Sequence, residues 1–214
     1  MSFSSAFSSL TLPESKGIKG GYWPSWLAEQ NPLEEAFQAV TLSLAWPIPT
    51  ARKYGFDGLD LDWEFPNNEQ DMSNLSLLFK QWRKAIEIES ISYNKPKLIL
   101  SAAIYFAPDF FLSDVPRIYP GVAIRNYVDF INPMCFDYHG SWDTSVTNEH
   151  ALVYDNSSKI STSYGVDSWA FQGVPPEKLV IGLPLYGRTW KLKNTKRNGI
   201  GHRLSELAPE TMAL

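Results

Sequence analysis

A lone cysteine, Cys135, excludes a disulfide within the chain, so the redox compartment cannot be read from bonding. Cys135 lies in an apolar, strand-like run and is expected to be an inert core thiol. Histidine is nearly as scarce. His139, His150 and His202 fit no metal-ligand spacing and read as bystanders. Basic charge is not in excess: 19 Lys and Arg stand against 23 Asp and Glu, for a net charge of −4. That balance argues against a nucleic-acid or anionic-membrane partner. No apolar run reaches the ~20 residues that span a bilayer. Residues 1–17 are rich in Ser and Phe but lack the basic start and continuous apolar run of a secretory signal. A Gly-rich phosphate fingerprint is missing too, so a nucleotide site has little support.

What is present is apolar mass. Hydrophobic residues make up 44% of the 214, enough for one sizeable core in a globular chain. Tryptophan is abundant, at eight. These rings fit core packing, and they also fit a carbohydrate cleft in which rings stack on sugar faces; composition does not choose. Asn74-Leu75-Ser76 and Asn156-Ser157-Ser158 match the N-glycosylation acceptor pattern, which matters only in a secreted chain.

The most informative stretch is Phe56-Asp57-Gly58-Leu59-Asp60-Leu61-Asp62-Trp63-Glu64-Phe65-Pro66. Asp60, Asp62 and Glu64 follow the period of a strand, so they share one face, while Leu59, Leu61 and Trp63 share the other. Neighbouring acids on that face sit roughly 6.6 Å apart. Like charges that close, partly withdrawn from water, resist full ionisation, and such rows are often functional. Two other readings stay open: a calcium loop, which the interleaved Leu61 and Trp63 and the missing turn glycine oppose, and a buried ion network without activity.

Along the chain, apolar strands alternate with helical segments. Residues 18–24 read as a strand closing at Pro24, 33–40 as a short helix and 41–45 as strand-like. Trp46-Pro47-Ile48-Pro49 is expected to break any regular element, and 50–54 resembles a helix end with Gly55 as its stop. Residues 72–89 carry a strong helical stripe of Leu75, Leu78, Phe79, Trp82 and Ile86. Strands are expected over 97–105, 128–138 and 179–188, a connector over 120–127, and a helix over 157–172 weakened by Gly165. Near-continuous apolar strands alternating with helices imply a parallel sheet of β/α units. Polar and aromatic residues cluster at strand C-terminal ends, where a (β/α)8 barrel or an open α/β sheet carries its chemistry.

With those residues in hand, the chain resembles glycoside hydrolase family 18, in particular plant class V chitinases and chitinase-like relatives. Asp57-Gly58-Leu59-Asp60-Leu61-Asp62-Trp63-Glu64 matches the family's D-x-x-D-x-D-x-E signature at every acid. Gly20-Gly21-Tyr22-Trp23-Pro24-Ser25-Trp26 looks like the first barrel strand, Met134-Cys135-Phe136-Asp137-Tyr138 the sixth, and Gly182-Leu183-Pro184-Leu185-Tyr186-Gly187-Arg188-Thr189-Trp190 the seventh. The resemblance covers residues 17–32 and 51–201. Residues 1–16 are read as an extension, and 17–214 as one TIM barrel of the chitinase type, with 33–50 and 202–214 unaligned. Second and third strands are not found, since only eighteen residues separate Pro32 from Ala51, and an eighth, expected after Arg188 with a Trp, is not found because no Trp follows Trp190. The expectation is therefore an open, partial barrel, from a fragment, an alternative transcript or a mistaken gene boundary.

The resemblance implies cleavage of β-1,4-linked N-acetylglucosamine by substrate-assisted, retaining hydrolysis with no cofactor or metal. It makes Glu64 the proton donor, Asp62 the residue that orients the sugar acetamide, and Asp60 its inner partner. Tyr22, Phe65, Met134, Phe136, Asp137, Tyr138, Trp142 and Arg188 are implied to line the sugar cleft. Tyr22, Met134 and Tyr138 are equally readable as core, and Arg188 as a structural partner for a carboxylate. Asp57 is expected to be structural, at the start of the strand. Phe136 departs from the family, which usually carries a Tyr whose hydroxyl bonds the acetamido oxygen; Phe65 likewise stands for the more usual Tyr. The implied partner is chitin or a chito-oligosaccharide, the chain a monomer, and the location extracellular or vacuolar. Alternatives are a chito-oligosaccharide-binding protein without turnover and a non-functional truncated form.

Overall fold

The computed structural model describes residues 47–206 except 141 and 144. Tyr22, the first expected strand around it and the strand-like run 41–45 lie outside the described residues.

The prolines at 47 and 49 do not break structure. They open helix α1 (Pro47–Tyr54), because N–H groups of a first turn have no intrahelical acceptor to lose. Gly55 ends it at φ 72°. Strand β1 (Gly58–Asp62) follows, then the long helix α2 (Glu69–Tyr93). The Asn68 side chain caps α2 by accepting from the Asp71 N–H at 2.9 Å. Asn94, left-handed at φ 48°, closes it. Of the expected stripe Leu75, Phe79, Trp82 and Ile86 are buried and Leu78 is half-buried against the same core, and Met72 joins them. The helix outruns its expected ends because both caps lie beyond the apolar stripe. Arg52 and Glu89 join α1 to α2 through bonds of 2.9 and 2.7 Å.

Strand β2 (Ile99–Tyr105) leads to helix α3 (Gly121–Tyr127), where a connector was expected. Strand β3 is Phe130–Met134, shorter than the expected 128–138. Helix α4 is Thr162–Phe171, capped by Ser161, and a 3-10 turn spans Pro176–Lys178. A small antiparallel hairpin pairs β4 (Lys191–Leu192) with β5 (Leu204–Glu206).

The main sheet is parallel, in the order β1-β2-β3. Leu59, Leu61, Leu100, Ala102, Ile104 and Ile131 point into one core with α2, Ile124 of α3 and Trp169 of α4. The opposite face carries Asp60 beside Ser101, Asp62 beside Ala103, Ala103 in turn beside Asn132, and Tyr105 beside Met134.

Residues 179–188 correct the expectation of a buried strand. They run along the outer edge of β3 with only a bridge from Leu179 to Ile131 and bonds from Val180 N–H to Ile131 O (2.9 Å) and Gly182 N–H to Pro133 O (3.3 Å). Leu183 and Leu185 are 78% and 90% exposed. An apolar run becomes a buried strand only where something covers its far side, and among the described residues nothing does.

Gly165 has a packing reason. A Cβ there would meet the Phe106 carbonyl oxygen at 2.4 Å, and the Trp169 indole N–H donates to that same oxygen at 3.1 Å. Helix α4 is thus seated on one carbonyl by its closest approach and by a hydrogen bond. Gly165→Ala is expected to lower stability by about 1–3 kcal/mol through overpacking. Urea denaturation measures this, and an unshifted midpoint would contradict the seating.

Candidate active site

Strand parity places the acidic row as expected. Asp60 and Asp62 project from the less buried face of β1, and Glu64 follows just past its end, before a cis Glu64–Phe65 peptide. Asp60 accepts a short hydrogen bond from the Ser101 hydroxyl on the adjacent strand. Asp62 Oδ1 is enclosed and has no hydrogen-bond partner among the described residues. Partial burial pushes the Asp62 carboxyl above its ordinary pKa, and the neighbouring Asp60 charge adds to this. Glu64 is exposed at the mouth of the row. Its carboxyl is also raised, first by partial withdrawal from water, then by Asp62 and Asp137. Asp57 is exposed in the turn before β1, and its carbonyl accepts from the Ile99 N–H at 3.0 Å.

An aromatic wall stands beside Glu64. Phe65 meets Tyr105 edge-on at 5.7 Å and Phe110 at 5.5 Å, while Tyr105 stacks on Phe110 at 4.2 Å. Burial pushes the Tyr105 hydroxyl up to about 12. Arg117, buried, donates to the Pro66 carbonyl at 2.5 Å and lies 4.0 Å over the Phe110 ring. It ties the turn after Glu64 to this wall.

The second cluster forms where the chain leaves β3. Asp137 adopts a left-handed φ of 56°. Its carboxylate accepts from the Tyr186 hydroxyl at 2.6 Å, and from Arg188 Nε at 2.8 Å and Nη2 at 2.7 Å. Arg188 thereby forms a carboxylate pair, as one of its two readings has it. Burial and the Asp137 contact hold the Tyr186 hydroxyl up at about 12. Arg188 also sits 5.3 Å from the Trp142 ring, itself 58% exposed. Met134 and Phe136 are half-buried, Phe136 edge-on to Tyr186 at 6.4 Å.

Tyr138 departs from the cleft expectation. It is buried against Phe106 in a separate small core, its hydroxyl 3.2 Å from that of Thr162. Cys135 lies in the same core, its thiol pushed up by burial. His150 is not the bystander it was read as. Its ring packs on Tyr186 at 5.4 Å, and Nδ1 lies 3.5 Å from Asp137 Oδ1 without a hydrogen bond. His139 pairs with Asp143 at 2.8 Å. Among the described residues no group of three His, Cys, Asp or Glu is placed to hold a metal ion, and no helix is long and apolar enough to cross a membrane.

Sequence reasoning thus missed Tyr186, His150, Ser101 and Arg117. Tyr186 was findable, because it stands two residues before Arg188 and shares its side of an extended chain. The other three become neighbours of the site only through the fold.

The chain matches the sequence profile of glycosyl hydrolases family 18 over residues 32–211. That match runs through 33–50 and into the tail, which the motifs alone do not align. Class V chitinase CHIT5 of Lotus japonicus is 50% identical over 165 residues, covering 77% of this chain and 41% of that protein. A class V chitinase of Nicotiana tobaccum, solved in complex with NAG4, superposes with a TM-score of 0.72 at 36% identity, covering 76% of this chain and 46% of that one. A GH18 chitinase of Cycas revoluta in complex with (GlcNAc)3 gives a TM-score of 0.73 at 39% identity, covering 83% and 50%. The chain spans about two fifths of the length of the class V chitinases it matches.

The raised carboxyls set a pH dependence. Glu64 and Asp62 keep their protons to higher pH in the folded chain than in the unfolded one. The folded state therefore binds more protons as pH climbs through the carboxylate range, and stability falls as it climbs. Glu64→Gln is expected to melt above the parent near neutral pH. The gap should close in acid, below the ordinary carboxylate range, where both states are protonated. Thermal melts at the two pH values check this, and a gap that widened in acid would refute it.

Proposed function

The chain belongs to glycosyl hydrolases family 18, and on that premise we propose that it hydrolyses β-1,4-linked N-acetylglucosamine, as polymer or oligomer, with retention at the anomeric carbon. The observation that carries this is the enclosed, unpartnered Asp62 Oδ1 between a hydrogen-bonded Asp60 and a Glu64 of raised pKa. A buried acceptor left without a donor costs about 1–3 kcal/mol, and the N–H of a sugar acetamide is the donor that fits it.

In this reading Asp62 accepts from the acetamide N–H and turns its carbonyl oxygen toward the anomeric carbon. Glu64, whose hold on its proton is strengthened by partial withdrawal from water and by Asp62 and Asp137, protonates the leaving glycosidic oxygen as the acetamide oxygen bonds to that carbon and the glycosidic bond breaks. The positive charge that develops on the acetamide faces the Asp62 carboxylate. Glu64, now ionised, takes a proton from water; the water oxygen attacks the anomeric carbon and the internal ring opens, restoring the acid. Asp60 steadies Asp62 while Ser101 holds Asp60 in place. Phe65, Met134, Phe136, Asp137, Trp142 and Arg188 flank the sugar, with Tyr22 on the same role by resemblance. The protein is a monomer in an extracellular or vacuolar setting.

Phe136 favours a second reading, chito-oligosaccharide binding with little turnover. Its ring brings no hydroxyl to a position where the family usually has one, and loss of such a donor costs about 10²–10³ in rate.

Two measurements separate the readings. Glu64→Gln is expected to lower kcat on a chitin oligomer by about 10²–10⁴-fold; unchanged turnover would remove Glu64 from the mechanism. Phe136→Tyr is expected to raise kcat by about tenfold or more by supplying the donor. If the parent shows no turnover, but calorimetry shows affinity for N-acetylglucosamine oligomers that Glu64→Gln keeps, the binding reading stands instead.

A further inference from the structure

The two N-x-S acceptor patterns lie in opposite structural settings. Asn74 is inside α2 (Glu69–Tyr93) and its Oδ1 accepts from Gln70 Nε2 at 3.2 Å. At about 100° per residue, Ser76 points about 200° around the helix from Asn74, so its hydroxyl cannot meet the Asn74 amide. Leu75, between them, is in the main core, and opening this turn would withdraw it.

Asn156 is the reverse case. It lies in the loop from β3 to α4, outside any helix or strand, and residues 156–159 are all exposed. Its side chain makes no hydrogen bond among the described residues. Its surroundings are nevertheless ordered: Asp155 accepts from the Ser157 N–H at 2.8 Å, from the Ser157 hydroxyl at 2.7 Å and from the Ser158 hydroxyl at 2.6 Å. These bonds hold the turn at the surface with the Asn156 amide outside it. Beside it Val153 and Tyr154 are 69% and 68% exposed, an apolar pair that a bulky polar group would cover.

We propose that Asn156 is a site of N-linked glycosylation and that Asn74 is not. The Asn156 Nδ2 displaces a lipid-linked diphosphate from the anomeric carbon of an oligosaccharide donor. A C–N bond forms, the C–O bond to the diphosphate breaks, and the amide gives up one proton. The loop leaves the C-terminal end of β3, and on either side of Asn156 its Leu152 and Ile160 pack against the small core of Phe106 and Tyr138, which anchors the turn. The proposal rests on the extracellular or vacuolar reading above, since the oligosaccharide donor is met only on the secretory route.

The test supplies that route. The full chain is expressed behind a cleavable secretory leader in a eukaryotic cell that N-glycosylates, and the total cellular and secreted pools are analysed by intact mass and peptide mass spectrometry. One glycan is expected, removed by peptide-N-glycosidase and mapped to Asn156, absent from Asn156→Gln and retained in Asn74→Gln. A chain without a glycan, or with one on Asn74, overturns the proposal. Because the leader is supplied, either result is independent of where the chain resides naturally. A glycan absent here speaks against the site; a native chain outside the secretory route speaks against the location alone.

Discussion

A slip of one residue between β1 and β2 would carry Asp60 and Asp62 into the hydrophobic layer and bring Leu59 and Leu61 out to the site. The register is therefore the constraint on which the site depends. Gly58 helps to set it: a Cβ there would stand 2.6 Å from the Ile99 carbonyl oxygen, so only glycine lets the strands close at their start. From that point pairing proceeds in step, and Asp60 arrives opposite Ser101. The apolar residues of α2 enforce the same choice from behind, since they accept leucines and not carboxylates.

Within that frame the acids are arranged by unequal solvation. Asp60 has a hydroxyl donor, Asp62 has an enclosed oxygen without one, and Glu64 opens toward solvent. Asp62 and Glu64 are both pushed up, each first by partial withdrawal from water and then by an acidic neighbour. A fourth acid, Asp137, reaches the same locality from just past β3 but is matched by Arg188 and Tyr186. Its charge still raises Glu64. The two strand ends are thus electrostatically coupled although the middle strand β2 separates them.

Local periodicity made much of this legible. The alternation from Leu59 to Glu64 gave the face of Asp60, Asp62 and Glu64, and the stripe from Leu75 to Ile86 gave the long helix. Parity failed where geometry is set by caps and covers. Prolines in a first helical turn look like breakers in sequence, yet they begin α1. Leu179–Leu185 reads as buried because it is apolar, but burial belongs to the surroundings and not to the segment. His150 and Arg117 carried no local signal, since each reaches the site from a loop distant in sequence. Tyr138 has the composition of a cleft residue and the position of a core one; only Phe106 and Thr162 at its sides decide between them.

The left-handed backbone at Asp137 restricts what mutation can offer there. Side chains branched at Cβ clash in that conformation, while Gly, Asn and Asp adopt it readily. Glycine would leave Arg188 and Tyr186 without their acceptor, and asparagine would keep one acceptor but discard the charge. Of the residues the backbone accepts, aspartate alone satisfies both contacts. Drift at this position is therefore narrowed twice, by conformation and by chemistry, and a lineage that gave up the charge would have to rebuild the neighbouring arginine and tyrosine as well.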